Sequence, residues 1–185
     1  SLAVRVAFNA GSNDELVQPI LNEIFADRFV DNGFYLAIEI AELYPESEPV
    51  REAVDGRPLP PAAAAAFAMT WQYDTRVDTA THLPMLLPAL QSDLAGHVQL
   101  FTEFCLERLP LNRELALLIV EASAPALRSP EPPARGEAIL LPTGLANADG
   151  TLQGRIDELL EEHQLEITEY LTPDFTRVRP ELAEE

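Results

Sequence analysis

Lysine is absent from the 185-residue chain: all 12 basic side chains are arginine. Chemistry that needs an amine side chain is thereby closed, including the P-loop lysine, the kinase strand lysine and Schiff-base catalysis. Cysteine is nearly absent too. Cys105 stands alone, which excludes an intrachain disulfide and any cysteine-cluster zinc or iron–sulfur site, and fits a cytoplasmic chain. No uninterrupted apolar run approaches the ~20 residues of a membrane helix. The opening SLAVRVAFNAGS has no cationic lead-in, so neither export nor membrane insertion is expected. No serine sits in a G-x-S-x-G setting, and Gly144, Gly150 and Gly154 do not make G-x-G-x-x-G, so hydrolase and dinucleotide signatures are missing.

What the chain has in excess is negative charge. Thirty-one Asp and Glu face 12 Arg, for a formal net charge of −19. The excess is uneven: 4 Arg and 11 acids over 1–60, 5 and 8 over 61–135, and 3 and 12 over 136–185. A nucleic-acid backbone or an anionic lipid surface would be repelled, because no arginine cluster exists to release phosphate counterions. The partner expected is therefore a protein with a basic surface, or a second copy of the chain. A hydrophobic fraction of 47% is too high for a disordered polyanion. One domain over 1–185 is expected, burying roughly 70% of its extended-chain surface.

Periodicity divides that domain. Leu2, Val4, Val6 and Phe8 alternate with smaller or polar residues, which predicts a strand at 2–8. Ser12 and Glu15 form a capping-box signature ahead of an apolar stripe, predicting a helix over 13–27 with Pro19 near a kink or first turn. Asp31-Asn32-Gly33 signals a turn, and Phe34, Leu36, Ile38 and Ile40 alternate as a second strand, with a helix as the competing reading. The proline-rich connection 45–61 leads into a helical segment, 62–124. There Leu90, Leu94, Val98, Phe101, Cys105 and Leu109 mark one long helix near 89–109, and Asn112 caps another that ends before Pro125. A linker at 125–135 carries four prolines. Beyond it, a short apolar run at 138–141, a turn at Asp149-Gly150, a helix stripe through Leu152, Ile156, Leu159 and Leu160, and a strand through Leu165 and Ile167 repeat the opening order. Strand-helix-strand over 1–44 and again over 136–185 predicts an α+β fold, a split βαβ arrangement as in a ferredoxin-like sandwich, with the helical segment inserted. The alternative is a mostly helical fold with a few short strands.

Candidate sites are few. Asp78 and His82, and likewise Asp93 and His97, are four residues apart, so on helices each pair would project from one face. Brought together, the four would offer oxygen and nitrogen ligands to a divalent metal, although Pro84 and Pro88 interrupt a continuous helix between them. Asp157, Glu158, Glu161 and Glu162 gather carboxylates on one helix as a candidate partner-binding face. Cys105 falls on an apolar stripe and reads as packing. Trp71 with Tyr73, and Phe34 with Tyr35, read as core or as a partner surface. With no cofactor expected, these features add up to a non-enzymatic acidic accessory or adaptor protein. A metal-assisted small-molecule enzyme built on the two Asp-His pairs is the second reading, and a DNA-mimic inhibitor of a DNA-binding protein the third.

Overall fold

A computed structural model describes residues 21–22, 24–25, 30–55, 57–129 and 131–162. The predicted strand at 2–8, the Ser12/Glu15 capping box, most of the helix over 13–27 and the strand through Leu165 lie outside these residues. The regular elements of the described residues are all helices: α1 (Val30–Leu43), α2 (Glu48–Val54), α3 (Pro61–Trp71), α4 (Thr79–Leu86), a 3-10 turn (Leu87–Gln91), α5 (Ala95–Glu107), α6 (Arg113–Leu127), α7 (Pro132–Ala148), a second 3-10 turn (Gly150–Leu152) and α8 (Gln153–Glu162). The described residues contain no strand, which corrects the α+β expectation in favour of the mostly helical alternative. Two compact units divide the chain, 1–89 and 90–185. No helix among the described residues is long and apolar enough to cross a membrane.

The first unit is organised by α3. Ala62 to Ala68 are all buried, with Phe67 and Trp71 fully so. A helix apolar on every side belongs at the centre of a unit, and alanine, the best helix former, lets neighbouring backbones come close. Pro60 and Pro61 start it without the loss of an intrahelical donor. The helix that packs on it is α1, and here the strand expectation at 34–40 fails. Phe34, Leu36, Ile38 and Ile40 do alternate, but Ala37, Ile40, Ala41 and Tyr44 also recur at three and four, and it is this second set that is buried. Against an alanine helix, a helical stripe of two alanines, an isoleucine and a tyrosine fits, and Asp31-Asn32-Gly33 becomes the first turn of α1.

The end of α1 explains the placement of Trp71. The carbonyl of Ala41 would accept from the amide four residues on, but residue 45 is proline and has none. The Trp71 indole supplies the missing donor, Nε1 lying 2.9 Å from the Ala41 oxygen. Arg51 closes the same end, its Nη1 donating to the carbonyls of Pro45 at 2.9 Å and Tyr44 at 3.3 Å, where a cation suits the helix dipole.

The second unit is organised by α7, which packs against α5, α6 and α8. Ala134, Ala138, Ile139, Leu141 and Leu145 face inward, so the apolar run at 138–141 is the middle of a helix and not a strand. Gly144 faces a side chain of α5: a β-carbon there would lie 2.6 Å from Leu106 Cδ2. The predicted long helix near 89–109 is shorter than expected, because Leu87–Gln91 forms a 3-10 turn and α5 begins only at Ala95. Asn112 caps α6, its side chain accepting from the Leu115 amide at 2.9 Å, and α6 continues through Pro125 to Leu127. The linker prolines therefore close one helix and open the next. On α8, Ile156, Leu159 and Leu160 are buried, as the stripe in the sequence predicts.

Candidate functional site

Three polar constellations stand out, one in the first unit and two in the second. In the first, Tyr44 follows α1, Asp55 caps the C-terminal end of α2, and His82 lies on α4. The Tyr44 hydroxyl donates to Asp55 Oδ1 and lies 2.8 Å from His82 Nε2. On the other side of the ring, His82 Nδ1 sits 2.6 Å from the Asp78 carbonyl oxygen. A carbonyl only accepts, so this nitrogen carries the proton. Aromatic rings frame the chain: Trp71 is 4.8 Å from Tyr44 and 5.4 Å from His82, centroid to centroid, and Phe67 is 6.5 Å from Tyr44. Only 3% of Tyr44 is exposed. Burial, reinforced by the Asp55 carboxylate and opposed by Arg51, holds its proton well above the ordinary tyrosine range.

The predicted ligand Asp78 is the N-cap of α4, accepting from the Thr81 amide at 2.8 Å and the Thr81 hydroxyl at 2.6 Å. Those two bonds lower its carboxyl below the usual range. Asp78 and His82 thus have partners within the unit already, and a metal would have to displace them. Asp93 and His97 belong to the second unit, and Asp93 precedes α5 instead of lying on it. His97 Nδ1 meets Ser92 Oγ at 2.8 Å, while that oxygen also accepts from the Leu94 amide at 3.2 Å. A serine beside an imidazole is nucleophile-and-base geometry, but Ser92 is 8% exposed, and its hydroxyl fastens the entry to α5. Asp93 accepts from Ser129 Oγ at 3.3 Å on the wall of a cavity of about 330 Å³ that Arg128 also lines. Among the described residues, no three or more His, Cys, Asp and Glu side chains gather as a metal centre would require.

The third constellation is the acidic helix α8. Glu158 accepts from Arg155 at 3.0 Å and Asp157 from Gln153 at 2.8 Å, while Glu161 and Glu162 are exposed. Arg155 also forks onto Glu121 of α6, at 2.7 and 3.0 Å, and this holds the Glu121 carboxyl below its usual range. A carboxyl lowered on folding adds stability that is complete above about pH 4.3, the unfolded glutamate value. That contribution disappears as pH falls through the folded value. In acid titrations followed by circular dichroism, Glu121→Gln is expected to flatten the acid limb relative to the parent; an unchanged limb would show that the fork contributes nothing.

Cys105 is fully buried, and burial pushes its thiol up, as a packing residue requires. Trp71 is core, whereas Tyr35 and Tyr73 are 70% and 73% exposed. Tyr44, Asp55, Ser92 and Ser129 are site residues that sequence reasoning missed. Tyr44 and His82 are 38 positions apart, and no local spacing signals such a meeting. Comparison with protein-family models, with curated proteins and with solved structures finds no match.

Proposed function

We propose that the chain is a non-enzymatic acidic accessory protein of the cytoplasm that docks on a basic face of another protein. The observation that carries this reading is the division of α8: Ile156, Leu159 and Leu160 seal it to its own unit, and Glu158, Glu161 and Glu162 stand outward. The distribution of arginine supports it. Arg76 is clasped by Asp74 and Glu46, Arg155 by Glu121 and Glu158, and Arg51 by main-chain carbonyls. These three of the 12 arginines are engaged with the protein's own acceptors, and the net charge of −19 gives carboxylates the larger share of the outer field.

The test is titration of the purified chain with a polyarginine peptide, and with polyglutamate as control. Saturable binding to polyarginine is expected, weakening as salt shortens the screening length from about 10 Å at 0.1 M to about 3 Å at 1 M. The triple variant Glu158→Gln, Glu161→Gln, Glu162→Gln is expected to bind several-fold more weakly. Equal binding by variant and parent, or none by the parent, would overturn the assignment of α8 as the docking face.

A further inference from the structure

The chain of contacts from Asp55 through Tyr44 and His82 to the Asp78 carbonyl has a hydrogen count that does not close with the side chains in their ordinary states. It contains three links: Asp55 to Tyr44, Tyr44 to His82 Nε2 at 2.8 Å, and His82 Nδ1 to the Asp78 oxygen at 2.6 Å. A neutral tyrosine brings one hydrogen, a neutral imidazole brings one and a carboxylate brings none. The Asp78 link must take the imidazole hydrogen, because a carbonyl has none to give. The tyrosine hydrogen can then fill only one of the other two links. The remaining link would set lone pair against lone pair at bonding distance in a half-buried site, which is a costly arrangement.

One further proton closes the count. With it, Tyr44 donates to Asp55 and His82 donates to Tyr44 on one side and to Asp78 on the other. The mirror arrangement, with the proton on Asp55 and the tyrosine donating to Nε2, serves equally, so the proton belongs to the chain of groups and to no single residue. We infer that the Asp55–Tyr44–His82 chain is a proton-operated latch: it captures one proton when the first unit folds, and its loss loosens the joint that ties the end of α1 to α2 and α4.

The surroundings fit this role. Asp55 and Arg51 are the charged groups of α2 that act on Tyr44. Arg51 is directed at the carbonyls of Tyr44 and Pro45, and α3 contributes the rings of Phe67 and Trp71. On α4 the Asp78 carboxylate is turned to Thr81, leaving its carbonyl for His82. Filled, the chain of three side chains is net neutral; one proton short, it carries a net negative charge beside the buried Tyr44, although Asp55 itself is exposed. Tyr44 is not the group that yields the proton, since its own is held tightly.

The sign follows from linkage. Below about pH 6.5 an unfolded imidazole is itself protonated, so folding takes up nothing and the latch contributes fully. Above that, the folded state holds a proton that the unfolded chain has given up, and stability falls as pH rises. The full chain is to be unfolded in urea at a series of pH values between about 6 and 8, and the ring nitrogens of His82 observed by NMR. The fraction unfolded at fixed urea should rise with pH, by up to tenfold in the unfolding constant per pH unit, about the limit for one proton. Tyr44→Phe keeps the ring packed on Trp71 and Phe67 while breaking the chain, and with His82→Gln it should abolish most of that slope. A slope that both variants retain, or a folded protein showing at neutral pH a lone pair on His82 Nε2 and an ionised Asp55, would overturn the latch.

Discussion

Trp71→Ala is expected to lower the unfolding free energy by about 3–5 kcal/mol, the range for truncating a large aromatic in a packed core. Trp71 is fully buried, touches Tyr44, Phe67 and His82 through their rings, and donates to Ala41. Trp71→Phe separates these contributions. It keeps most of the apolar volume and removes the indole N–H, leaving the Ala41 carbonyl without a donor because Pro45 has none to offer; about 1–3 kcal/mol is expected for that loss alone. Both variants are to be followed by far-ultraviolet circular dichroism in urea. A phenylalanine variant as stable as the parent would show that the indole hydrogen bond contributes nothing to the closing of α1.

Ala64→Leu is the second large expectation, and its cause is the reverse. Ala64 is fully buried in the middle of α3, with buried alanines on either side. Added methylenes have no space to enter without moving the elements packed on α3, and about 1–3 kcal/mol of destabilisation is expected. Met69→Leu, at a half-buried position of the same helix, conserves volume and should cost less than about 1.5 kcal/mol. Similar losses in the two variants, read from the same urea curves, would show that α3 has no steric ceiling.

The helices that carry their own punctuation were legible in the sequence. Asn112 before Leu115 starts α6 as expected, the stripe through Ile156, Leu159 and Leu160 buries the predicted face of α8, and Asp149 turns the chain, accepting from the Thr151 amide at 3.0 Å. The strand expectations failed where two periods coexist in one segment. Over residues 34–44 alternation and helical recurrence are both present, and only the alanine surface of α3 decides between them. At 138–141 four apolar residues are too few to show a period, and the helix that contains them is set by its packing on α5, α6 and α8. Proline misled as well: the helix expected to end before Pro125 runs through it to Leu127, where the missing amide donor is tolerated. Of the polar sites, the sequence offered the short-range Asp-His spacings. Tyr44 and Asp55, which hold His82, come from other elements, so the partner of the imidazole emerges only from the fold.

Trp71 is the sole tryptophan of the chain, and it sits in the unit that ends at Ala89. Its near-ultraviolet emission is therefore a built-in gauge of one half of the molecule, whereas backbone ellipticity sums over both. Melting curves from the two signals that superimpose would mean that residues 1–89 and 90–185 come apart in a single event. Curves that separate would assign the earlier or later step to its half without adding a label.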